Sequence, residues 1–460
     1  MVNLTIDGKT VAVSEGTTVL KAAEAAGIQI PTLCHHPALV PFGGCRLCLV
    51  EVEGMRTLQP SCTLPASEKM VVHTNTDKVK AARKFVLTLI FSDRNHFCPY
   101  CQVSGGDCEL QNAALAEGMS HWPFQPNWQH YPVDASGPYF VMDHNRCILC
   151  HRCVRACGEL VGNFTLGIEE RGASSMLVAD TGVPLGESTC VSCGTCVSVC
   201  PTGALIERRA AYQGHEKQLE PVRSICVGCS VGCGITAYAR DNRLVRILGD
   251  WDAELNGGVL CKEGRFLPIE EDRERITTPM VKKDGKLQPA TWEEALAVAA
   301  ANLKPLAGKN GSGVAALVST RLPVEAISLF KQIFAGGMGS DMVTSIEEGQ
   351  PTSAASALAE GLGHPFEANL EALKAADCVV AVGVNLAETH MVAGFLIKRN
   401  LPRGTQLIVI DPGKNGLDPH ASLCLKAARG SDADVIQGIR AGLVRLGLVE
   451  GGMVSAGEDL

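Results

Sequence analysis

The sequence predicts a multidomain α+β protein in which small cysteine-bearing domains precede one α/β domain. Three observations carry this prediction. The first residues alternate apolar and polar side chains as a β-hairpin does. All of the 21 cysteines except Cys378 and Cys424 fall into five clusters. From about residue 290, alanine-rich helical stretches alternate with apolar strands, which predicts a parallel sheet.

Composition narrows the range of partners. The net charge of −8 argues against nucleic acid or an anionic membrane as a partner. The first residues lack the basic and apolar regions of a secretory signal. No apolar stretch approaches the ~20 residues of a membrane span. We therefore expect a soluble, cytoplasmic protein without a membrane span.

Cysteines at this density have three interpretations. Disulfides suit small secreted domains, and zinc sites usually show two C-x2-C pairs. Two stretches of this chain instead read C-x2-C-x2-C-x3-C, a spacing typical of iron–sulfur clusters. We therefore expect iron–sulfur clusters, and keep a zinc scaffold as the remote alternative.

Residues 1–78 are predicted to form a β-grasp domain that holds one [2Fe–2S] cluster. A hairpin is expected from Val2–Ile6 through a turn to residues 10–13, and a helix over residues 18–26. The spacing C-x10-C-x2-C-x13-C is a variant of the plant-type [2Fe–2S] pattern. The expected ligands are Cys34, Cys45, Cys48 and Cys62.

Residues 79–137 are predicted to combine a helix over residues 78–91, a [4Fe–4S] site and an irregular linker. Cys98, Cys101 and Cys108 supply three thiols, and His96 is the nearest candidate for the fourth ligand. A surface histidine is the alternative interpretation of His96.

Residues 138–212 are predicted to be a two-cluster ferredoxin domain, with an inserted hairpin near residues 171–172. In such domains the fourth cysteine of each run ligates the other cluster. One [4Fe–4S] cluster is therefore assigned to Cys147, Cys150, Cys153 and Cys200, and the other to Cys157, Cys190, Cys193 and Cys196.

The fifth cysteine set lies in residues 219–275 and precedes the α/β region of residues 276–460. Its members are expected to hold a fourth [4Fe–4S] cluster: Cys226, Cys229, Cys233 and Cys261. Strands are expected over residues 314–318, 378–384 and 407–410, with helices over residues 292–303 and 433–446.

The N-terminal motifs resemble a known group of iron–sulfur proteins. Residues 1 to about 210 are similar to the large iron–sulfur subunit of complex I, to [FeFe]-hydrogenases and to NAD-dependent formate dehydrogenase α subunits. The resemblance rests on the Cys34–Cys62 spacing, on Arg94-Asn95-His96-Phe97-Cys98, on Cys108-Glu109-Leu110-Gln111 and on the paired four-cysteine runs. In that group the histidine usually stands four residues before the first cysteine, whereas His96 stands two before Cys98. Complex I normally keeps a single run, so two runs favour the hydrogenase or formate dehydrogenase side.

Residues 219–446 resemble the first part of a molybdopterin oxidoreductase. The resemblance rests on the fifth cysteine set, on Lys262 at the position of the lysine between cluster and pterin, and on Ile408-Val409-Ile410-Asp411-Pro412. In active members a Cys, Sec or Ser ligates molybdenum. The matching stretch here, Val343–Pro351, has no cysteine, although Ser345 is a possible ligand. Since active members also continue beyond residue 460, we expect a truncated, degenerate domain without molybdopterin.

The resemblance implies a function as an electron-transfer subunit without catalytic residues of its own. No flavin or dinucleotide motif is present, and Gly336–Gly339 is expected to end a helix. The implied complex is a soluble NAD(P)-linked, electron-bifurcating oxidoreductase of hydrogenase or transhydrogenase type. The implied partners are a flavoprotein subunit that binds NAD(P)H, a small [2Fe–2S] subunit, a hydrogenase-like catalytic subunit and soluble ferredoxin. The alternatives are a formate dehydrogenase α subunit and a peripheral complex I subunit.

Overall fold

A computed structural model describes residues 1–96, 98, 101–121, 123–124, 128–270, 274, 276–307, 313–319, 321–347, 350–351 and 370–448. The contacts divide the chain into two compact units. The first unit comprises residues 1–224, 233–269 and 371–460, and the second comprises residues 225–232 and 270–370. The α/β region predicted over residues 276–460 is therefore divided between the units.

The N-terminal domain is a five-stranded mixed sheet with the strand order β2-β1-β5-β3-β4 and one helix. Thr18 caps the helix, since its hydroxyl accepts from the Lys21 amide at 3.4 Å. Leu4, Ile6 and Leu20 lie in the core between sheet and helix. The elements are β1 Val2–Ile6, β2 Lys9–Val13, α1 Val19–Ala25, β3 Leu49–Val52, β4 Gln59–Pro60 and β5 Val71–His73.

Two helices form the next module, α2 Asp77–Asp93 and α3 Glu109–Ala116. Thr76 caps α2 by accepting from the Val79 amide at 3.3 Å. Buried apolar residues of both helices, among them Leu87 and Leu110, pack with Leu33 and Leu47 of the N-terminal domain. Cys108, which directly precedes α3, packs in the same cluster.

The ferredoxin-like region contains a three-stranded sheet of order β10-β7-β6 and the expected hairpin of β8 and β9. The two short helices lie within the two cysteine runs and contain Cys153 and Cys196. The elements are β6 Val133–Asp134, β7 Phe140–Asp143, α4 Arg152–Arg155, β8 Leu166–Glu169, β9 Met176–Ala179, α5 Thr195–Val199 and β10 Leu205–Glu207.

A three-stranded sheet of order β11-β12-β13 follows, with β12 and β13 paired antiparallel. The Phe266 ring stacks on Tyr139 at 4.5 Å between centroids and joins this segment to the ferredoxin-like region. The elements are β11 Glu220–Ile225, β12 Gly234–Arg240, β13 Arg243–Gly249, α6 Lys262–Arg265 and α7 Leu267–Glu270.

The second unit contains a hairpin and a separate small sheet in which β16 and β17 are parallel. Thr291 caps α8 by accepting from the Glu294 amide at 3.2 Å, as expected. Strand β16 lies within the stretch of residues 314–318 that was expected to form a buried strand. It is half-exposed, and Leu317 is 62% exposed. The elements are β14 Met280–Lys283, β15 Lys286–Pro289, α8 Trp292–Leu303, β16 Ala315–Val318, α9 Val324–Lys331, β17 Met342–Glu347 and β18 Gln350–Pro351.

The last segment of the first unit is a parallel three-stranded sheet of order β19-β20-β21 with two helices. Its elements are β19 Cys378–Val382, α10 Met391–Lys398, β20 Gln406–Ile410, β21 Leu423–Leu425 and α11 Asp432–Arg445. Every residue of α10 is buried. The helix packs closely on the ferredoxin-like region, because a Cβ on Gly162 would lie 2.4 Å from the Arg399 amide nitrogen. No helix within the described ranges is long and apolar enough to cross a membrane.

Candidate iron–sulfur centres

The first ferredoxin-type cavity is surrounded by four thiols from the two cysteine runs. Cys147, Cys150 and Cys153 from the first run meet Cys200 from the second around about 380 Å³ of empty space. The remaining walls are mainly apolar and include Leu149 and Leu205. The structure therefore brings together the four residues that the crossed spacing assigns to one cluster.

The second cavity has the reciprocal composition. Cys190, Cys193 and Cys196 from the second run meet Cys157 from the first around about 370 Å³ of empty space. Asn163, Thr165 and Leu166 line the same cavity. The crossed placement of the cysteines thus occurs in both directions.

The backbone of both runs turns around its cavity in the same way. Leu149 and Ser192, each two residues after the first cysteine, have φ of 51° and 54°. Their amides donate to the sulfurs of Cys147 and Cys190 at 3.4 Å. A left-handed φ on a non-glycine residue is uncommon, and amides gathered in this way form a concavity that suits an anion. The loops are therefore shaped for negatively charged sulfur at their centre.

Burial disfavours free thiolates at these positions. It raises the pKa of Cys147 to about 11 and of Cys150 to about 12. Metal ligation requires the deprotonated sulfur, and positively charged iron offsets the cost of burying it. Thiols crowded around an apolar space fit a cluster better than free cysteines. The cavities are the evidence that these cysteines suit clusters. In the described ranges, no group of three or more His, Cys, Asp and Glu residues is arranged to hold a single metal ion.

A third cavity places His96 beside the three cysteines of its module. His96, Cys98, Cys101 and Cys108 line about 320 Å³ of empty space. The side chain of His96 is buried, and its Nε2 has no hydrogen-bond partner in the described part of the chain. Burial lowers the pKa of His96 to about 4, so the imidazole is neutral and can donate a lone pair. This placement contradicts the surface interpretation of His96, whereas its role as the fourth ligand stays a prediction.

Substituting His96 tests this assignment. His96→Ala is expected to remove or convert one cluster, whereas His96→Cys should restore four-iron occupancy at a lower potential, because thiolate adds negative charge. EPR spectra and iron content of the purified variants provide the measurement. Spectra that stay unchanged in both variants would assign the fourth ligand to another group.

The thiols of Cys34, Cys45, Cys48 and Cys62 also meet. The pKa of Cys34 lies well below its usual range because the thiols of Cys45 and Cys62 hydrogen bond to it. The pKa of Cys48 falls to about 7, first through a hydrogen bond from Cys62. The Cys45 amide also donates to the Cys34 sulfur at 3.5 Å. This compact group suits a [2Fe–2S] site.

The fifth set is divided between the two units and its assignment stays a prediction. Cys226 and Cys229 belong to the second unit, and Cys233 and Cys261 to the first. Within each unit, one amide donates to a cysteine sulfur at 3.4 Å, from Gly228 to Cys226 and from Gly264 to Cys261. Lys262, at the position of the pterin-linking lysine, is half-exposed and lies 3.9 Å from Glu263.

The segment that corresponds to the molybdenum ligand forms two short paired strands. Ser345 lies in β17, opposite Val318 of β16. Its side chain and residues 348–349 lie outside what the structure describes. The possible role of Ser345 as a metal ligand therefore stays a hypothesis.

Several residues around the cavities were not expected from spacing. Arg152 is buried between the first cavity and α3, where it donates to both carboxylate oxygens of Glu109 at 2.6 and 2.8 Å. Gly203 has no room for a side chain, because a Cβ would lie 2.6 Å from the Cys101 sulfur. The glycine after Cys200-Pro201-Thr202 was a visible signal for close backbone approach to a site. Arg152 had no such signal.

Family models match five consecutive segments of the chain. A 2Fe-2S iron-sulfur cluster binding domain matches residues 1–77, and the NADH-ubiquinone oxidoreductase-G iron-sulfur binding region matches residues 83–122. The ferredoxin-like domain of NADH-quinone oxidoreductase subunit 3 matches residues 137–206. The molybdopterin oxidoreductase Fe4S4 domain and the molybdopterin oxidoreductase model match residues 219–269 and 275–447. The predicted composition of [2Fe–2S], [4Fe–4S] and molybdopterin oxidoreductase domains is confirmed.

Three curated relatives align with nearly the whole chain. The second G-type subunit of NADH-quinone oxidoreductase from Rhizobium meliloti is 36% identical over 96% of this chain and 52% of its own length. The NADPH-Fe(3+) oxidoreductase subunit alpha of Geobacter sulfurreducens is 31% identical over 97% of this chain and 52% of its own. A putative formate dehydrogenase of Staphylococcus haemolyticus is 28% identical over 93% of this chain and 48% of its own length. The chain spans about half the length of these relatives.

Among solved structures, a chain of the NAD+-reducing [NiFe]-hydrogenase in the H2-reduced state matches 46% of this chain and 90% of its own, with 37% identity and a TM-score of 0.42. The ferredoxin-like model that matches both four-cysteine runs is a complex I model. The preference that paired runs give for a hydrogenase or formate dehydrogenase over complex I stays a prediction. The chain therefore combines matches to 2Fe-2S and complex I-type iron–sulfur domains with matches to molybdopterin oxidoreductase domains.

Proposed function

We propose that this chain is the electron-transfer iron–sulfur subunit of a multi-subunit, NAD(P)-linked oxidoreductase. The observation that carries the proposal is the set of three cysteine-lined cavities and one compact thiol group within a single unit. Bound clusters would supply one-electron chemistry. The protein contributes buried thiols, amides directed at sulfur and apolar walls that exclude water.

The proposed complex contains further subunits that exchange electrons with this chain. A flavoprotein subunit that binds NAD(P)H, and a small [2Fe–2S] subunit, would stand at one end of the relay. A hydrogenase-like catalytic subunit and ferredoxin would receive electrons at the other, with electron bifurcation at the flavin. The names of the relatives favour a nicotinamide nucleotide as the ultimate donor, because they include NADH and NADPH oxidoreductases.

Reduction of the isolated chain tests its proposed function in electron transfer, called the relay below. We expect dithionite, but not NADH, to bleach the visible iron–sulfur absorbance under anaerobic conditions, because a hydride donor needs a flavin to separate its two electrons. Adding a flavoprotein subunit should make NADH effective. Rapid bleaching by NADH alone, or formate oxidation by the chain alone, would contradict the proposal and favour a catalytic subunit.

Metal content distinguishes the relay from a formate dehydrogenase α subunit. One [2Fe–2S] and four [4Fe–4S] clusters would give about 18 iron atoms per chain. Because residues 343–351 contain no cysteine, we expect neither molybdenum nor tungsten. Elemental analysis of anaerobically purified protein is the measurement. Stoichiometric molybdenum would establish an intact pterin site and refute the degenerate-domain hypothesis.

A further inference from the structure

A concave surface of the first unit lies next to the second ferredoxin-type cavity and belongs to none of the sites above. This surface, called the basic groove, borders about 1410 Å³ of empty space, part of it open solvent. Its walls come from the loop at residues 38–40, from residues 154–166 and from residues 374 and 399–403. Leu166 lines both the groove and the cavity that contains Cys157, so the two share a wall.

The groove is strongly cationic although the chain is acidic. Arg155, Lys374, Arg399 and Arg403 line it, against the single carboxylate of Glu159. The Glu159 carboxylate is already engaged, since its Oε2 accepts from the Val40 amide at 2.8 Å. Lys374 is paired with Glu371, so three arginines around the Glu159 carboxylate give the groove a local positive potential in a chain of net charge −8.

Two of the four basic side chains have hydrogen-bonded or ion-paired partners among the described residues, and two do not. Arg155 donates to the carbonyls of Val40 and Cys34, and Lys374 lies 3.5 Å from Glu371. By contrast, the guanidinium groups of Arg399 and Arg403 have no hydrogen-bonded or ion-paired partner within the described residues. Burial, and then the charge of Arg403, lower the pKa of Arg399. Arg399 is half-buried and Arg403 is exposed. Two neighbouring guanidinium groups that repel each other and have no counter-charge among the described residues favour an anionic ligand.

The groove also presents apolar side chains to solvent. Phe164 and Val40 line it and are 60% and 64% exposed. Phe42 is 41% exposed and lies under the Arg155 guanidinium, 5.4 Å from its ring centroid. Exposed apolar residues among basic ones suit a protein surface better than a small anion, because transient protein contacts combine an apolar centre with a charged rim.

We propose that the basic groove docks a small acidic one-electron carrier protein of the ferredoxin type. The inference rests on the proposed relay and adds the place where the carrier binds. Carboxylates of the carrier would pair with Arg399 and Arg403, and its apolar centre would contact Phe164 and Val40. In each encounter the reduced chain loses one electron and the oxidised carrier gains one.

The test compares charge-neutralised variants of the full, cluster-containing chain. Dithionite reduces the chain, excess reductant is removed, and an oxidised plant-type [2Fe–2S] ferredoxin is added. Arg399→Gln/Arg403→Gln should weaken ferredoxin binding and lower the second-order rate of electron transfer by about tenfold at low ionic strength, with the difference shrinking at high salt. Lys414→Gln/Arg429→Gln, which removes two exposed charges outside the groove, should change neither quantity. Equal iron content in all proteins excludes misfolding.

The outcomes separate the docking site from the relay. Wild-type rates in the Arg399/Arg403 variant, or equal losses in the control, would overturn the docking site while leaving the relay intact. Arginine-dependent binding without electron transfer would support docking but refute the relay. Arginine-dependent binding of pyrophosphate, with ferredoxin binding unaffected, would overturn the carrier in favour of a small anion.

Discussion

Cys200→Ser is expected to remove the [4Fe–4S] cluster assigned to Cys147, Cys150 and Cys153. The cluster assigned to Cys190, Cys193 and Cys196, which belong to the same cysteine run as Cys200, should remain. The reason is spatial, because the Cys200 sulfur lines the first cavity and not the second. Cys200 is adjacent to Pro201 and Thr202, which line the same cavity, and its thiol donates to the Thr202 carbonyl at 3.2 Å. Serine oxygen is a poor substitute for a soft thiolate ligand of iron.

Iron analysis and EPR of the purified variant provide the measurement. A loss of up to about four iron atoms and of one EPR signal is expected. Cys157→Ser should remove the other cluster, since Cys157 lines the second cavity. Cys378→Ser is the control, because this exposed cysteine lies outside the five sets. Loss of the same signal in the Cys200 and Cys157 variants would rule out the crossed assignment.

Local spacing could predict which thiols meet, because C-x2-C-x2-C allows one short loop to surround a cluster. The same pattern predicted the crossed partners. Cys200 lines the first cavity and Cys157 the second, and the cluster assignment stays a prediction. His96 departs from the usual spacing, yet the structure places it in the cavity of its three cysteines. The sequence alone could not predict that the buried His96 Nε2 has no hydrogen-bond partner among the described residues.

Contacts between distant segments had no sequence signal. The basic groove combines residues about 38–40, 154–166 and 374–403, and no local periodicity relates such stretches. The division of residues 276–460 between two units was likewise unexpected. Alternating helices and strands predicted one α/β sheet, whereas α10 packs on Gly162 of the ferredoxin-like region. Burial of apolar surface is non-directional, so a pattern predicts that a helix is buried but not against what.

Lys398→Met is expected to lower the reduction potential of the cluster assigned to Cys157, Cys190, Cys193 and Cys196. Lys398 ends α10 and is buried, and its Nζ donates to Asn163 Oδ1 at 2.7 Å. Asn163 lines the second cavity, so the ammonium lies just behind the cavity wall. A buried positive charge favours the more negative, reduced state of a cluster, because low-dielectric surroundings screen the charge weakly.

The buried cations near the first cavity provide a comparison within the same chain. One buried cation near it, Arg152, is paired with the Glu109 carboxylate through two hydrogen bonds, and a second, Arg94, lies near Cys147. Lys398 has no carboxylate hydrogen bonded to it in the described part of the chain. Burial lowers the pKa of Lys398, and the nearby Cys157 and Cys193 oppose that change. Thiolate and cluster charge would therefore help to keep the lysine protonated, and the protonated lysine would favour reduction of this cluster over the first.

An EPR-monitored redox titration of the full chain measures the effect. Removing the charge should shift the equilibrium constant for one-electron reduction by about tenfold, which is about 59 mV. Lys398→Arg should keep most of the wild-type potential, because it retains the charge. Lys426→Met is the matched control in the same segment, since Lys426 is paired with Asp418 at 2.8 Å and half-exposed. A potential that is the same in wild-type protein and Lys398→Met, with all clusters present, would show that the ammonium does not act on this cluster.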